Sequence, residues 1–350
     1  MAQQKAASAS HEELAQARAQ RVYTWLAAVK RDRAERLAET KRLFGGKVVC
    51  MDPHTHSTYS DGKGTVDQNH EAAVNAGLDF VFASDHASLG QKRVAKKFGD
   101  MSWGQEPGAG AHHIGLLCNE KLFKPKKEEI AADFDKARSL APFVWVPHPA
   151  GWYPRTAYSE EKIATLWTLG QEFAMEVLNG AHKVETAYDQ FDEAAIAVWD
   201  RLLCDGRRVT PLGGSDAHAP EGIGCVWTAV LGADPEPDSL IKALNAGRCQ
   251  ASEASLLDFR LDGNPMGSAV KVKKGGEISF SFRAVDAAGI QCVRIVSGGQ
   301  VRKTLYPRDE PVVEGAWKMR PRSATYCRLE SRAVDNRRAF SAPIYVEVDG

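Results

Sequence analysis

The feature that most constrains the fold is a repetition of short apolar runs and longer amphipathic segments between residues 47 and 246. Apolar runs of this length are typical of buried strands, and the longer periodic segments are typical of helices. The predicted strands are Val48–Met51, Leu78–Ala83, His113–Cys118, Phe143–Val146, Phe173–Leu178, Val209–Leu212 and Cys225–Leu231. The predicted helices are Val66–Ala76, 126–140, Glu160–Leu169, Glu185–Cys204 and Pro237–Ala246. This alternation predicts an α/β fold with a parallel sheet or barrel.

Polar side chains follow six of these predicted strands. They are His54 with His56, Ser84-Asp85-His86, Glu120, His148, Glu176 with Asn179, and Asp216 with His218. In a barrel of parallel strands all the carboxyl ends meet at one face, where active sites are built. The sequence therefore predicts that these groups converge on one site.

The stretch from Asp52 to Gly62 indicates the chemistry of that site. His54 and His56 lie two residues apart at the end of an apolar run, so in a strand both imidazoles point to the same side. Asp61 adds a carboxylate one short turn later. Imidazole together with carboxylate suits zinc, manganese or iron better than calcium. Two histidines at a strand end are also common as polar surface, so the prediction of a metal site depends on the other clusters as well.

Composition limits the classes of partner. Lys+Arg and Asp+Glu both number 45, so the formal net charge of zero favours neither nucleic acid nor an anionic membrane. No apolar run reaches the roughly 18 residues of a membrane helix, and residues 1–10 lack the apolar centre of a signal peptide. We expect a cytoplasmic protein, or an exported one if a signal was removed, that acts on a small molecule. The seven cysteines contain no C-x-x-C pair, which favours reduced, buried thiols over catalysis.

The two ends of the chain differ from its middle. Residues 11–44 predict one long charged helix laid against the main domain, and a nucleic-acid-binding helix is the weaker alternative because its acids nearly balance its bases. After Ala246 short alternating runs separated by turn signals predict an antiparallel β-sandwich. The predicted domains are an N-terminal helical extension at 1–46, a metallohydrolase domain at 47–260 and a β-sandwich at 261–350.

The ordered motifs between residues 47 and 246 resemble the PHP (polymerase and histidinol phosphatase) superfamily. The motifs are D-x-H-x-H with S-D-G, S-D-H, a Glu after a strand, V-P-H-P, E-V-L-N-G and G-S-D-A-H. The stretch from Leu244 to Arg248, the β-rich region after it and the ending S-A-P-I-Y resemble the CehA/McbA metallohydrolase branch. The resemblance implies a distorted seven-stranded β/α barrel with two or three divalent ions of zinc, manganese or iron.

The resemblance also implies three groups of metal ligands. The first ion is expected to bind His54, His56, Glu120 and Asp216. Glu120 is expected to bridge to the second ion, which also binds His148 and either Glu176 or Asn179. The third ion is expected to bind Asp61, His86 and His218. Asp216, His218 and Glu120 are the expected catalytic residues. None of these residues lies beyond His218, so we expect the metal centre not to need the C-terminal region.

The function expected from this resemblance is phosphoester hydrolysis by a hydroxide that bridges two metals, with a third ion neutralising developing charge. Hydrolysis of a carboxylic ester, amide or carbamate on the same centre is the alternative. A metal-containing binding protein without activity is the alternative of another class. The chain has no G-x-S-x-G elbow and no G-x-G-x-x-G after a strand, which disfavours a serine hydrolase and a dinucleotide enzyme.

A few further side chains could line the pocket. His112 and His113 are expected to be polar residues at the mouth of the pocket and not metal ligands. His182 is a weaker functional candidate. Trp152 and Tyr153 are core or substrate-stacking residues. The cations predicted to lie near the active face are Lys92, Arg93 and Arg155, any of which could pair with a substrate phosphate.

Overall fold

The computed structural model describes residues 32–109, 112–126, 129–152, 156–181 and 190–349. Residues 32–44 form helix α1. The helices that follow are α2 Val66–Asn75, α3 Lys92–Ala95, α4 Ile130–Arg138, α5 Glu160–Ala164, α6 Gln190–Cys204 and α7 Pro237–Asn245, with 3-10 turns at Thr165–Thr168 and Pro220–Gly222. Within the described part of the chain, no helix is both long and apolar enough to cross a membrane.

Among the described residues before residue 253 there are thirteen strands. They are β1 Val48–Thr55, β2 Phe80–Ala83, β3 Met101–Gln105, β4 Gly108–Ala109, β5 His112–His113, β6 Gly115–Leu117, β7 Phe143–Val146, β8 Gly151–Trp152, β9 Thr156–Ala157, β10 Glu172–Asn179, β11 Arg208–Gly214, β12 Trp227–Leu231 and β13 Cys249–Ser252. The predicted mixture of strands and helices is confirmed, although unpredicted elements lie between β2 and β6, namely α3 and β3 to β5, and between β7 and α5, namely β8 and β9.

Seven of these strands lie side by side in the order β11-β10-β7-β6-β3-β2-β1. Neighbours in this row pair in parallel except that β6 is antiparallel to both β3 and β7. The outer strands β1 and β11 meet just beyond their ends, where Thr55 bridges Ala217 in parallel and His56 N donates to Ala217 O at 2.9 Å. Six carboxyl ends therefore face one edge, and that of β6 faces the opposite edge.

The reversal of β6 has a local cause. Only nine residues separate Gln105, the last residue of β3, from Gly115, the first residue of β6, and this stretch contains the turn sequence Pro107-Gly108. A parallel crossover needs a dozen or more residues, whereas a hairpin needs few. The prediction that every strand points the same way is wrong at β6 for this reason. It is also wrong at β12, which pairs antiparallel with β1.

The C-terminal region contains ten further strands. They are β14 Leu256–Leu261, β15 Asn264–Pro265, β16 Ala269–Lys273, β17 Ile278–Val285, β18 Ile290–Ser297, β19 Gln300–Leu305, β20 Val312–Met319, β21 Thr325–Ala333, β22 Arg338–Ser341 and β23 Ile344–Asp349. One four-stranded sheet has the order β15-β14-β17-β20, and the others continue the large sheet through β22, β21, β18 and β19. An apolar cluster that includes Phe259, Phe280, Ile295 and Leu329 draws side chains from both sheets.

The two regions are joined by backbone pairing and by charge. Strand β13 pairs with β22, with Ala251 opposite Phe340, so one sheet runs from the N-terminal region into the C-terminal one. Helix α1 buries Leu37 against the N-terminal region, while Arg36 donates to Asp286 in the C-terminal region at 2.7 Å. The predicted contact of this helix with the main domain is observed for residues 32–44, and residues 11–31 lie outside the described residues.

Candidate metal centre

A buried carboxylate, Glu106, lies at the middle of the polar side chains that meet at the edge formed by the carboxyl ends. It follows β3 directly, and its side chain is 1% exposed. Its Oε2 lies 3.4 Å from His54 Nε2, 3.5 Å from His56 Nε2 and 3.1 Å from His86 Nδ1, and its Oε1 lies 2.8 Å from both His113 Nδ1 and His148 Nε2. Oε2 is buried and has no hydrogen-bond partner. One carboxylate therefore faces five imidazoles, which is the arrangement of a bridging metal ligand.

The deepest group of possible ligands consists of His54, His56, Glu106 and Asp216, whose ligand atoms lie within 4.8 Å of one another. Asp216 Oδ1 is 3.3 Å from His54 Nε2 and 3.1 Å from His56 Nε2. The two histidines share a side of β1 because they are two residues apart. Four donors of nitrogen and oxygen at this spacing are suitable for a transition-metal ion.

A second group lies nearer the surface and consists of His56, Asp61, His86 and His218. Asp61 Oδ2 lies 3.4 Å from His86 Nε2 and 3.3 Å from His218 Nε2. The loop that carries Asp61 is fixed by Asp85, which accepts hydrogen bonds from the Ser57 backbone at 2.8 Å and from Ser60 Oγ at 2.6 Å. The side chain of Asp61 is 55% exposed, so this group forms the open side of the centre.

A third group consists of His86, Glu106 and His113, and His148 adds a further imidazole on the same carboxylate oxygen as His113. His148 adopts a φ of 28° and Asp216 a φ of 49°, a region of the backbone map that non-glycine residues rarely occupy. Such strain is typical of functional sites, where the surrounding structure holds it in place. Both strained residues belong to the metal-ligand cluster.

Glu176 lies behind His54, contrary to its predicted place as a ligand of a second ion. Its Oε1 accepts from His54 Nδ1 at 2.7 Å and Trp145 Nε1 at 3.2 Å, and its Oε2 accepts from the His148 backbone and from Asn179 Nδ2, both at 2.9 Å. These bonds occupy both oxygens and direct the other nitrogen of His54 towards Asp216. A carboxylate that holds a ligating histidine in this way is a frequent companion of metal sites.

Asn179 also lies outside the ligand set. Its side-chain amide donates to Glu176 and, at 3.4 Å, to Asp216 Oδ2, while its Oδ1 accepts from the Ala181 backbone at 2.9 Å. Strand β11 can lie this close to His54 and Glu176 because residue 214 is a glycine. A Cβ at Gly214 would lie 2.7 Å from the Cβ of His54 and 2.8 Å from Glu176 Oε1. Asn179 therefore orients two carboxylates of the centre.

Glu120, the predicted bridge, is placed elsewhere. Its side chain is 70% exposed and pairs with Lys92 at the surface. It follows β6, whose carboxyl end points away from the edge where the histidines meet. The choice of Glu120 as a bridging and catalytic residue does not fit this geometry, in which Glu106 is the carboxylate that lies among the histidines.

The sequence patterns did not indicate Glu106 as a site residue, and they predicted no role for His113 as a ligand. Glu106 follows the sequence M-S-W-G-Q, which has too few apolar residues to be recognised as a strand. The signal that could have located both was the turn sequence that begins at Pro107, because a hairpin there brings the residues on either side of it together. Residues 110–111 of this hairpin, and the candidates Tyr153, Arg155 and His182, lie outside the described residues.

Aromatic rings form one wall of the centre. Trp152 stacks on His113 with ring centroids 5.7 Å apart and packs edge-on against His148 at 5.1 Å. Tyr158 packs edge-on against Trp152 at 5.8 Å, and its hydroxyl is buried without a hydrogen-bond partner. The predicted cations Lys92 and Arg93 lie apart from this wall, Lys92 being paired with Glu120 and Arg93 being exposed.

Crowding of charges perturbs the pKa values of the centre. Burial opposes protonation of His54, but Asp216, Glu176 and Glu106 outweigh it and hold its pKa well above the usual value. Burial lowers the pKa of His56. Burial also opposes ionisation of Glu106, but the nearby imidazoles His113 and His54 hold its pKa well below the usual value. Without a metal ion, a proton on His54 therefore compensates part of the charge of the buried carboxylates, which is the role a divalent cation would take.

A comparison with known families bears on the end of this region. Residues 202–249 match the family PHP_C, described as PHP-associated. The matched segment runs from the end of α6 to the first residue of β13 and includes Asp216 and His218. The predicted resemblance to the PHP superfamily is confirmed. No curated protein matches the chain in sequence.

Several solved structures are similar to the chain at low sequence identity. A two-domain protein from Bacteroides vulgatus, containing a predicted PHP-like metal-dependent phosphoesterase, is 17% identical over 86% of this chain and 95% of its own, with a TM-score of 0.48. PsfC from Pseudomonas syringae is 14% identical over 56% of this chain and 87% of its own, with a TM-score of 0.40. A protein from Bifidobacterium adolescentis, proposed to be a metal-dependent phosphoesterase, is 15% identical over 55% of this chain and 95% of its own, with a TM-score of 0.34. All three TM-scores lie below 0.5, so the assignment of residues rests on the geometry of this chain.

Proposed function

We propose that the chain is a metal-dependent phosphoesterase of the CehA/McbA branch of the PHP superfamily, with two or three divalent ions organised around Glu106. The observation that carries the proposal is the buried Glu106 carboxylate facing five imidazole nitrogens, with Oε2 left without a hydrogen bond. A buried carboxylate oxygen without a partner is costly, and a cation would satisfy it.

In this proposal the seven-stranded row closes into a distorted barrel, and the two C-terminal sheets form a β-sandwich. The domains are the helical extension at 1–46, the PHP-like domain at 47–260 and the β-sandwich at 261–350. The bridge between Thr55 and Ala217 supports closure of the row, and the shared apolar cluster supports the sandwich.

Three sets of residues would hold the ions. The first ion would bind His54, His56, Glu106 and Asp216. The second would bind Glu106, His113 and His148. The third would bind Asp61, His86 and His218. Ions in these places would supply a nucleophilic water of lowered pKa and would neutralise charge developing on the substrate. The residues fit such ions because they are imidazoles and carboxylates, the ligands that zinc, manganese and iron share.

The protein side chains have separate tasks in hydrolysis. Asp216 directs Oδ1 towards His54 and His56, which leaves Oδ2 to accept a proton from the attacking water. Glu176 holds His54 through its Nδ1, so that Nε2 faces the centre. Substrate enters from the side of Asp61 and His218, since those side chains are 55% and 30% exposed whereas that of His54 is fully buried. His218, on this open side, would hold an ion together with Asp61 and His86, and that ion would neutralise charge on the substrate phosphate.

A second candidate is hydrolysis of an aromatic carboxylic ester, amide or carbamate. The wall of Trp152 and Tyr158 favours it, because rings beside the centre suit a flat, weakly charged substrate.

The experiment is a panel of chromogenic phosphate monoesters, phosphate diesters and carboxylic esters, each assayed with Zn²⁺, Mn²⁺ and Fe²⁺ after removal of bound metal. Turnover of phosphate esters that depends on added metal would support the proposal. Turnover of the carboxylic esters alone would support the second candidate, and bound metal without turnover of any substrate would favour a binding protein.

A further inference from the structure

We infer that Arg338, in the C-terminal region, is a positioning residue for the metal centre and makes that region part of the working site. The inference rests on the proposed metal centre and is independent of the substrate. Arg338 begins β22, and a continuous path of buried hydrogen bonds connects it to His54 and Asp216.

The first step of this path is at Asn179, the last residue of β10. Its side-chain amide donates to Glu176 Oε2 at 2.9 Å and to Asp216 Oδ2 at 3.4 Å, and Glu176 in turn holds His54. Its backbone N–H donates to Asp192 Oδ1 at 2.9 Å. The position of Asp192 therefore fixes the residue that orients two carboxylates of the centre.

The second step is from Asp192 to Arg338. Asp192 lies in the first turn of α6, and its Oδ2 accepts from Arg338 Nη2 at 2.9 Å. Both side chains are nearly fully buried, at 3% and 5% exposed. The two oxygens of Asp192 thus join the end of β10 on one side to the C-terminal region on the other.

Arg338 is itself held firmly. Its Nη1 donates to Glu193 Oε1 at 2.6 Å and its Nε donates to Glu253 Oε2 at 3.4 Å. Its backbone N–H also donates to Glu253 Oε2, at 2.8 Å. Strand pairing between β22 and β13 fixes the backbone from which the side chain extends. A guanidinium with planar, directional donors is suited to hold three carboxylates at once, and a lysine would not reproduce this geometry.

Removing the Arg338 guanidinium would leave the buried Asp192 carboxylate without its ion-pair partner from the C-terminal region. Asp192 would lose a charge-assisted bond inside the protein and would then shift or take up a proton. Either change weakens its hold on the Asn179 backbone and, through Asn179, on Glu176 and Asp216. Residues that orient metal ligands typically contribute about 10- to 100-fold to metal affinity.

The chain contains a matched control on the same helix. Arg328, in β21, is 1% exposed and donates to Asp200 of α6 at 2.9 Å, so it also joins α6 to the C-terminal region through an ion pair, although the Asp200 side chain is 25% exposed. Among the described residues, Asp200 accepts hydrogen bonds from Arg328 and Tyr326 and contacts none of the possible metal ligands. Loss of Arg328 should therefore weaken the junction without disturbing the metal ligands.

The experiment uses the full-length protein as wild type, Arg338→Met, Arg338→Lys and Arg328→Met. Zn²⁺ affinity is measured by competition with a chromophoric chelator, the absorption spectrum is recorded with Co²⁺ bound, and the thermal unfolding midpoint is measured for each protein. We expect Arg338→Met to bind Zn²⁺ about 10- to 100-fold more weakly and to alter the Co²⁺ spectrum, with Arg338→Lys giving at most partial recovery. Arg328→Met should lower the unfolding midpoint while Zn²⁺ affinity and the Co²⁺ spectrum stay as in wild type.

The inference is overturned if folded Arg338→Met binds Zn²⁺ as tightly as wild type, or if both arginine variants lose affinity to the same extent. If Arg338→Met does not fold, Asp192→Asn replaces it, because this change keeps the size of the side chain and removes its charge. Asp192→Asn should also weaken Zn²⁺ binding, and unchanged affinity would overturn the inference. A wild type that binds no metal would refute the proposed function itself, whereas metal-binding variants with unchanged affinity would refute only the role of Arg338.

Discussion

The metal-ligand cluster and the apolar cluster of the C-terminal sheets are both buried, but they are stabilised in opposite ways. Around Glu106, the imidazoles of His54, His56 and His148, each at most 2% exposed, lie between 2.8 and 3.5 Å from the carboxylate oxygens. Between the C-terminal sheets, Phe259, Phe280 and Leu329 are fully buried and bring no charge. The apolar cluster gains stability from its own burial, whereas the buried charges of the other need a cation or protons.

This difference predicts which perturbations each region responds to. Metal removal and pH should change the cluster around Glu106 and leave the C-terminal sheets largely unaffected. Loss of apolar volume should do the reverse. The two regions communicate at the junction of α6 with β22, where Arg338 bonds Asp192.

The largest effect is expected for Glu106→Gln. The amide keeps the volume of the side chain but cannot bridge two cations, so kcat/KM should fall by on the order of 1000-fold, with loss of at least one metal ion per chain. Glu120→Gln is the matched control, because Glu120 is an exposed glutamate that follows the neighbouring strand. Elemental analysis and steady-state kinetics of both variants check the prediction, and equal losses in the two would contradict it.

The next largest effect is expected for Phe259→Ala. The ring stacks on Phe280 with centroids 5.5 Å apart inside the C-terminal apolar cluster, so its truncation should lower the free energy of unfolding by about 3–5 kcal/mol. Denaturant unfolding measures this change, and metal content and kcat should stay at wild-type values at temperatures where the variant is folded. Loss of metal from the folded variant would show that the two regions are not stabilised separately.

A smaller, pH-dependent effect is expected at His86. Burial opposes its protonation, but a hydrogen bond to the Glu106 backbone oxygen and the charge of the Glu106 carboxylate prevail and raise its pKa to about 9. In the metal-free protein this group stabilises the fold fully below the unfolded pKa of about 6.5, and that contribution is lost as the pH rises to about 9. Metal binding must displace the proton, so affinity should increase with pH over the same interval.

Calorimetry of Zn²⁺ binding in buffers of different ionisation enthalpy would measure this proton release at pH 7. We expect His86→Gln to release about one proton fewer than wild type. The same number of protons in both proteins, or an affinity that falls from pH 6.5 to pH 9, would contradict the prediction.

The sequence was sufficient where local chemistry determines structure. Helix α2 begins as predicted because Thr65 and Gln68 form a capping box, and His54 and His56 share one side of β1 because strand residues alternate. The strand that precedes Glu106 could not be recognised, since its residues are mostly polar or small. Its partner β6 has the expected apolar pattern, but the pattern does not reveal direction, and this led to the choice of Glu120.

The proposed role of Arg338, in the C-terminal region, could not be predicted from the sequence either. No predicted ligand lies beyond His218, which suggested a metal centre complete without that region. The bond from Arg338 to Asp192 joins residues 146 positions apart, and no local pattern indicates such a contact. Long-range polar contacts of this kind depend on how whole elements pack, which periodicity and motif spacing do not encode.

The central claim is that Glu106 bridges a centre of at least two metal ions. The most direct measurement is anomalous diffraction from crystals of the full-length protein purified without chelator, combined with elemental analysis of the same preparation. We predict two or more transition-metal equivalents per chain and anomalous peaks about 2.0–2.2 Å from the two oxygens of Glu106. An active preparation without metal, or anomalous peaks bound by Glu120 instead of Glu106, would contradict the account.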